Sequence, residues 1–87
     1  MAAASDSTTA RQRLLGDHVR RYRHQSGLSQ EALALKAGVN RSYYASLETG
    51  RRNASLETIC RLAIALECDA ADLVRGTQAV RGKPPTG

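Results

Sequence analysis

Apolar residues along this chain recur at helical spacing and nowhere alternate with the period of two that marks a strand, so the pattern predicts an all-α fold. Leu15, Val19 and Tyr22 fall at i, i+4 and i+7 on one stripe, while Arg11, Arg13, Arg20, Arg21 and Arg23 lie mostly off it. Thr9-Ala10-Arg11-Gln12 has the spacing of a capping box, in which the Thr9 hydroxyl and the Gln12 side chain each satisfy an orphan amide. The first helix is therefore predicted to start there and run to about Gln25, with Gly27 as its left-handed stop.

Ser29 caps a second, short helix with Glu31 in its first turn and Leu33 and Ala34 facing inward, stopped by Gly38. Asn40 caps a third through Thr49, with Tyr44, Leu47 and Glu48 on one side and Arg41, Ser42, Ala45, Ser46 and Thr49 on the other. Gly50 closes it. Ser55 caps a fourth carrying Leu56, Ile59, Cys60, Leu62, Ala63 and Leu66, and Asp69 caps a brief fifth holding Leu73 and Val74 and ending near Gly76. Residues 10–76 are the expected folded unit. Residues 1–9 and the stretch 77–87, which contains Pro84-Pro85, are expected to be flexible tails.

Composition sharpens this picture. Ten Leu and fourteen Ala, with no Phe or Trp, suit a core of thin aliphatic helices within the single domain that 87 residues allow. Such a small fold holds roughly 4–13 kcal/mol of stability, which leaves little for a strained, desolvated catalytic cleft, so binding is expected rather than catalysis. No stretch approaches the ~20 apolar residues of a membrane span, and residues 1–6 lack the basic and apolar regions of a secretory signal.

Cys60 and Cys68 are about 12 Å apart if the intervening residues are helical, beyond disulfide reach, which fits a reducing cytoplasm. His18 and His24 share a basic helix with neither a cysteine nor a carboxylate pair nearby. No metal site, cofactor or general-base role is expected of them.

The charge is polarised. Residues 11–54 carry nine Lys and Arg against three Asp and Glu, a net of +6, and residues 55–75 carry a net of −2. One basic half suits a polyanion whose counterions are released on contact, although a net charge of +5 would also serve solubility alone.

Ser29 to Gly50 holds two short helices joined by the tight Ala37-Gly38-Val39 turn, the pattern of a helix-turn-helix. The reversal within three or four residues requires a positive φ at Gly38; Ala34 is small enough for close helix approach, and Val39 and Leu47 fix the angle. The third helix then projects as a ridge that fits a major groove about 12 Å wide.

These residues resemble the lambda repressor/Cro-like family of helix-turn-helix domains. The resemblance runs from about Leu15 to Leu73 through Leu15-Gly16, Gly27-Leu28-Ser29-Gln30-Glu31, Leu33-Ala34, Ala37-Gly38-Val39, Leu47-Glu48, Gly50, Arg51-Arg52-Asn53 and Leu62-Ala63 with Leu66. Ala54 stands where relatives often have Pro, Glu67 where they often have Gly, and Tyr44 where an aliphatic residue is usual. The resemblance implies a compact five-helix bundle, bacterial or phage-encoded, that binds double-stranded operator DNA as a symmetric homodimer and regulates transcription as a repressor or small controller.

On that footing Arg41, Ser42, Ala45 and Ser46 are the expected base-contacting residues: an Arg fork for guanine, two short hydrogen bonders, and an Ala that admits the helix or touches a thymine methyl. Gln30 resembles the family's phosphate-binding glutamine. Arg51, Arg52 and Asn53 follow in a loop whose side chains and amides would hold flanking phosphates. Tyr43 is expected to turn its hydroxyl toward a phosphate or, alternatively, to read a base, and Lys36 to extend the contact. Arg23 and Glu48 match positions that pair in some relatives, which implies a structural ion pair between the first and third helices. Arg11, Arg13, Arg20 and Arg21 are read as a solvated face.

One recognition helix reads only about three to four base pairs, so two copies ~34 Å apart are expected. The acidic half, with Leu66, Leu73 and Val74, is the expected dimer surface. The competing reading is an antitoxin-like or bridging module that binds a partner protein and uses DNA secondarily.

Overall fold

In the computed structural model, which describes residues 2–79 with side-chain surroundings from residue 8 onward, helices follow one another as the pattern predicts. They are α1 (Ala2–Ser26), α2 (Gln30–Ala37), α3 (Arg41–Glu48), α4 (Leu56–Leu66) and α5 (Ala70–Leu73), followed by a 3-10 turn over Thr77–Ala79. Among the described residues there is no strand.

The helix starts fall where short polar side chains can reach a free amide. Ser29 Oγ accepts from the Ala32 amide at 3.0 Å, Asn40 Oδ1 from Tyr43 at 3.0 Å, Ser55 Oγ from Thr58 at 3.1 Å and Asp69 Oδ1 from Ala71 at 3.0 Å. The α2–α3 turn is closed by Gly38 at φ 71°, which lets Val39 N–H reach back to the Ala34 carbonyl at 2.9 Å.

At the end of α4 the left-handed position belongs to Glu67, φ 56°, with Cys68 N–H bonded to the Ala63 carbonyl at 3.0 Å. The fold thus keeps the left-handed stop without the glycine that makes it easy.

The start of α1 departs from expectation. It begins at Ala2, so Thr9 lies inside the helix and its box with Gln12 is not the cap. Ala2, Ala3, Ala4 and Ala10 are strong helix formers with no Gly or Pro among them, and the helix propagates through the stretch expected as an N-terminal tail. The expected C-terminal tail likewise begins with ordered turn: Thr77 N–H and its hydroxyl both donate to the Val74 carbonyl, at 3.1 and 2.8 Å. Pro84-Pro85 and the rest of 80–87 lie outside the described residues.

Val19, Leu33, Tyr44, Leu47, Leu62 and Leu73 are wholly buried at the centre, drawn from all five helices. Tyr44 is the aromatic among them, and the rest is the thin aliphatic packing that the composition favours. Gly16 sets how closely α1 crosses α3: a Cβ there would sit 2.5 Å from the Glu48 carbonyl oxygen and 2.6 Å from that of Leu47.

One assignment of apolar residues is overturned. Leu56, among the apolar residues that α4 carries, is 76% exposed, because the helix buries the side holding Leu62, Ala65 and Leu66. Leu66 and Leu73, expected on a dimer surface, are 6% and 0% exposed and belong to the chain's own core. Val74, at 36%, keeps an outward share.

Candidate nucleic-acid interface

α3 has two unlike faces. Tyr44, Leu47 and Glu48 are buried, Arg41, Ser42 and Thr49 are exposed, and Ala45 and Ser46 are half-buried between them. The four residues expected to meet bases therefore share the outward side, spread over about a turn and a half of helix.

The inward side ends in a charged cluster. Arg23 of α1 donates from Nε to Glu48 Oε2 at 2.5 Å and from Nη2 to Oε1 at 3.2 Å, so the ion pair expected from the resemblance is present and bidentate. Arg23 Nη1 also holds the Leu28 carbonyl at 2.9 Å, fastening the α1–α2 connection. Gln30 Nε2 donates to Glu48 Oε1 at 2.8 Å, and the Tyr44 hydroxyl donates to Oε2.

Both side chains of the pair are nearly dry, 12% exposed for Arg23 and 3% for Glu48. Burial pushes the Glu48 carboxyl up, but hydrogen bonds from Arg23, Tyr44 and Gln30 outweigh it and hold the group below its ordinary value of 4.5. The Arg23 guanidinium is raised by its hydrogen bond to Glu48, and the Tyr44 phenol is raised by burial and by the carboxylate it donates to. Glu48 is thus a fixed anion around which α1, α2 and α3 are assembled.

Gln30 opens α2 half-buried. One hydrogen of its amide goes to Glu48, which leaves the second available to an outside acceptor.

Arg51, Arg52 and Asn53 follow α3 in an exposed loop. The Arg51 amide is bonded to the Ser46 carbonyl at 2.9 Å, so Arg51 is left with its side-chain donors, and Asn53 Oδ1 accepts from the Ala54 amide at 3.1 Å.

Tyr43 is placed differently from expectation. Its hydroxyl donates to the Asn53 carbonyl at 2.6 Å, which commits the one hydrogen that a phosphate contact would need and makes Tyr43 a strut between α3 and the loop. Lys36 turns toward Glu67 at the end of α4, 3.9 Å away.

Several positions escaped sequence reasoning. His18 Nε2 donates to the Arg75 carbonyl at 2.8 Å and Arg11 Nε to the Thr77 carbonyl at 3.2 Å, tying α1 to the segment after α5. Partners 57 and 66 residues away leave no local signal. Arg13, Arg20 and His24 line an open cleft of about 540 Å3 whose other side includes Gln30, Glu48 and Thr49, so the basic face of α1 adjoins the start of α2.

Among the described residues, no His, Cys, Asp or Glu cluster could hold a metal ion, and no helix is long and apolar enough to cross a membrane.

An exposed α3 held against α2 by a glycine turn, with cations beside it, defines the helix-turn-helix class. The chain belongs to that family: the family model described as "Helix-turn-helix" matches residues 19–73. Its members are DNA-binding transcription regulators and not enzymes.

The chain is 41% identical over 61 residues to control protein C.SmaI of Serratia marcescens, covering 70% of this chain and 73% of that one. It is 38% identical over 65 residues to the HTH-type transcriptional regulator y4dJ of Sinorhizobium fredii, with 75% and 84% covered. The crystal structure of the restriction-modification controller protein C.AhdI from Aeromonas hydrophila superposes with a TM-score of 0.72 at 42% identity, over 74% of this chain and 97% of that one.

Proposed function

We propose that the protein is a sequence-specific regulator that reads a double-stranded operator as a symmetric dimer, each copy laying α3 in a major groove. The observation that carries this reading is the division of α3, whose Tyr44, Leu47 and Glu48 are anchored inside while Arg41 and Ser42 stand outside. Arg41, Ser42, Ala45 and Ser46 meet base edges, with the Arg41 fork donating to guanine O6 and N7. Gln30, through its remaining amide hydrogen, and Arg51, Arg52 and Asn53, through their side chains, hold the flanking phosphates and set register.

In this reading Tyr43 serves the phosphate contact at one remove, by holding the loop that makes it. The protein acts on DNA in the cytoplasm and needs no cofactor. The control proteins among its relatives support the small-controller form of the reading.

Selection from random duplexes, followed by footprinting, tests it. A two-fold symmetric consensus protected over both half-sites is expected; recovery of no preferred sequence would overturn it.

A further inference from the structure

The arginines of α1 do not form one solvated face. Arg11 is tied to the Thr77 carbonyl at 3.2 Å, and Arg23 is bound to Glu48. Arg13 and Arg20, both exposed, instead line the open cleft of about 540 Å3 that α1 forms with Gln30 of α2 and Thr49 at the end of α3. Arg13, Asp17, Arg20 and His24 recur at i, i+4, i+7 and i+11, a single stripe of α1 about 16 Å long.

We propose that this cleft is a second phosphate-binding surface, in which Arg13 and Arg20 hold the sugar-phosphate backbone of duplex DNA beside the phosphate held by Gln30. This deepens the DNA reading above and rests on it.

The charge balance favours an anion. The carboxylates lining the cleft are Glu48 and Asp17. Glu48 is 3% exposed and already receives donors from Arg23, Gln30 and Tyr44. Asp17 faces Arg20 at 3.7 Å with both side chains 57% exposed, a pair that water and salt weaken. Arg13 has no carboxylate partner among the described residues. Two exposed arginines against one exposed carboxylate leave a surplus of positive charge.

The position of the cleft selects a duplex as its occupant. Thr49 belongs to the end of α3, so DNA seated on the outward face of that helix passes the mouth of the cleft. Gln30, with its second amide hydrogen unspent, marks one end. Toward the other, α1 is pinned against α3: a Cβ on Gly50 would lie 2.5 Å from Arg13 Cγ and 2.8 Å from its Cα. Arg13 thus projects from a fixed base and not from a fraying end.

Titrations of the full chain against the selected operator and a random duplex, at several salt concentrations, test the proposal. Arg13→Gln combined with Arg20→Gln should weaken both duplexes alike, by roughly tenfold near physiological salt, and flatten the salt dependence by about one to two units per chain. Thermal unfolding should stay close to wild type, because both side chains are exposed. Arg21→Gln removes a charge from the same helix but outside the cleft and should cost far less per charge, whereas Asp17→Asn should tighten binding to both duplexes.

An unchanged salt slope in the double variant, an equal loss per charge from Arg21→Gln, or an affinity indifferent to Asp17→Asn would each overturn the assignment. A loss confined to the operator would do so too, since a backbone contact carries no base preference. Inorganic phosphate that raises the thermal midpoint of wild type but not of the double variant, with duplex binding equal in both, would give the cleft to a free anion instead. The two readings fail separately. A chain that prefers no sequence, yet loses duplex affinity with Arg13 and Arg20, keeps the cleft and defeats operator reading; one that protects a symmetric operator with its salt slope untouched in the double variant does the reverse.

Discussion

Arg23 and Glu48, 25 residues apart in sequence, meet as a bidentate pair in which one guanidinium edge spans both carboxylate oxygens, at 2.5 and 3.2 Å. The pair joins α1 to the last turn of α3, so the tilt of the outward face is fixed by an interaction on the opposite face. Two further donors, Gln30 and Tyr44, complete the shell of the carboxylate.

Arg23→Ala strands a carboxylate that is 3% exposed and should lower unfolding free energy by about 3–5 kcal/mol. That is a large part of the roughly 4–13 kcal/mol available to a domain of this size. Urea unfolding measures it, and Arg23→Met combined with Glu48→Met should recover much of the loss. A loss below about 1 kcal/mol in the single variant would show that the pair contributes no more than a surface one.

The same cluster sets the pH range of stability. Because Glu48 is held below 4.5 in the folded chain, it releases its proton more readily there than when unfolded. Its contribution is complete above that value and is lost as pH falls through the folded value. Tyr44 acts at the other end: its raised phenol stabilises the fold fully below 10.0 and progressively less as pH rises above it. Urea midpoints should therefore fall on both the acid and the alkaline side, with the alkaline fall reduced in Tyr44→Phe.

Arg41→Ala should weaken binding to the selected operator by ~1–3 kcal/mol and relax preference at one position, leaving random duplex nearly unaffected. Arg52→Ala should weaken all sequences alike and flatten the salt dependence by about one unit. Titrations at several salt concentrations separate the two, and equal losses on operator and random DNA for Arg41→Ala would defeat its assignment to a base.

Gly16→Ala should destabilise despite the better helix propensity of Ala, because the added methyl group meets the Glu48 carbonyl oxygen at 2.5 Å. An overpacking loss of about 1–3 kcal/mol exceeds the propensity gain of about 0.5–1 kcal/mol. Chemical denaturation gives the sign directly.

Glu67→Gly should do the opposite. The left-handed φ of 56° is strained for Glu and free for Gly, whereas the Lys36 contact it would lose is long, at 3.9 Å, and largely exposed. A gain of about 1 kcal/mol, read as a higher thermal midpoint, is expected.

What could be read from the sequence alone was what is decided within three or four residues. Ser29, Asn40, Ser55 and Asp69 mark the starts of α2 to α5 because a cap and its amide are near neighbours on the chain, and Gly38 marks the turn because few residues accept its φ. The inward and outward faces of α3 followed from helical periodicity. The Arg23–Glu48 pair was legible only through family resemblance, since no local spacing links positions so far apart.

Tertiary packing decided the remainder. Periodicity says that Leu56, Ile64, Leu66 and Leu73 are apolar, but only the placement of α4 against α2 and α5 selects which of them go inside. Gln30 and Tyr43 were read as free donors because the acceptors they find, Glu48 and the Asn53 carbonyl, are brought to them by the fold. A hydrogen-bonding side chain advertises its capacity in the sequence, but its partner is chosen by whichever complementary atom the folded chain sets within about 3 Å.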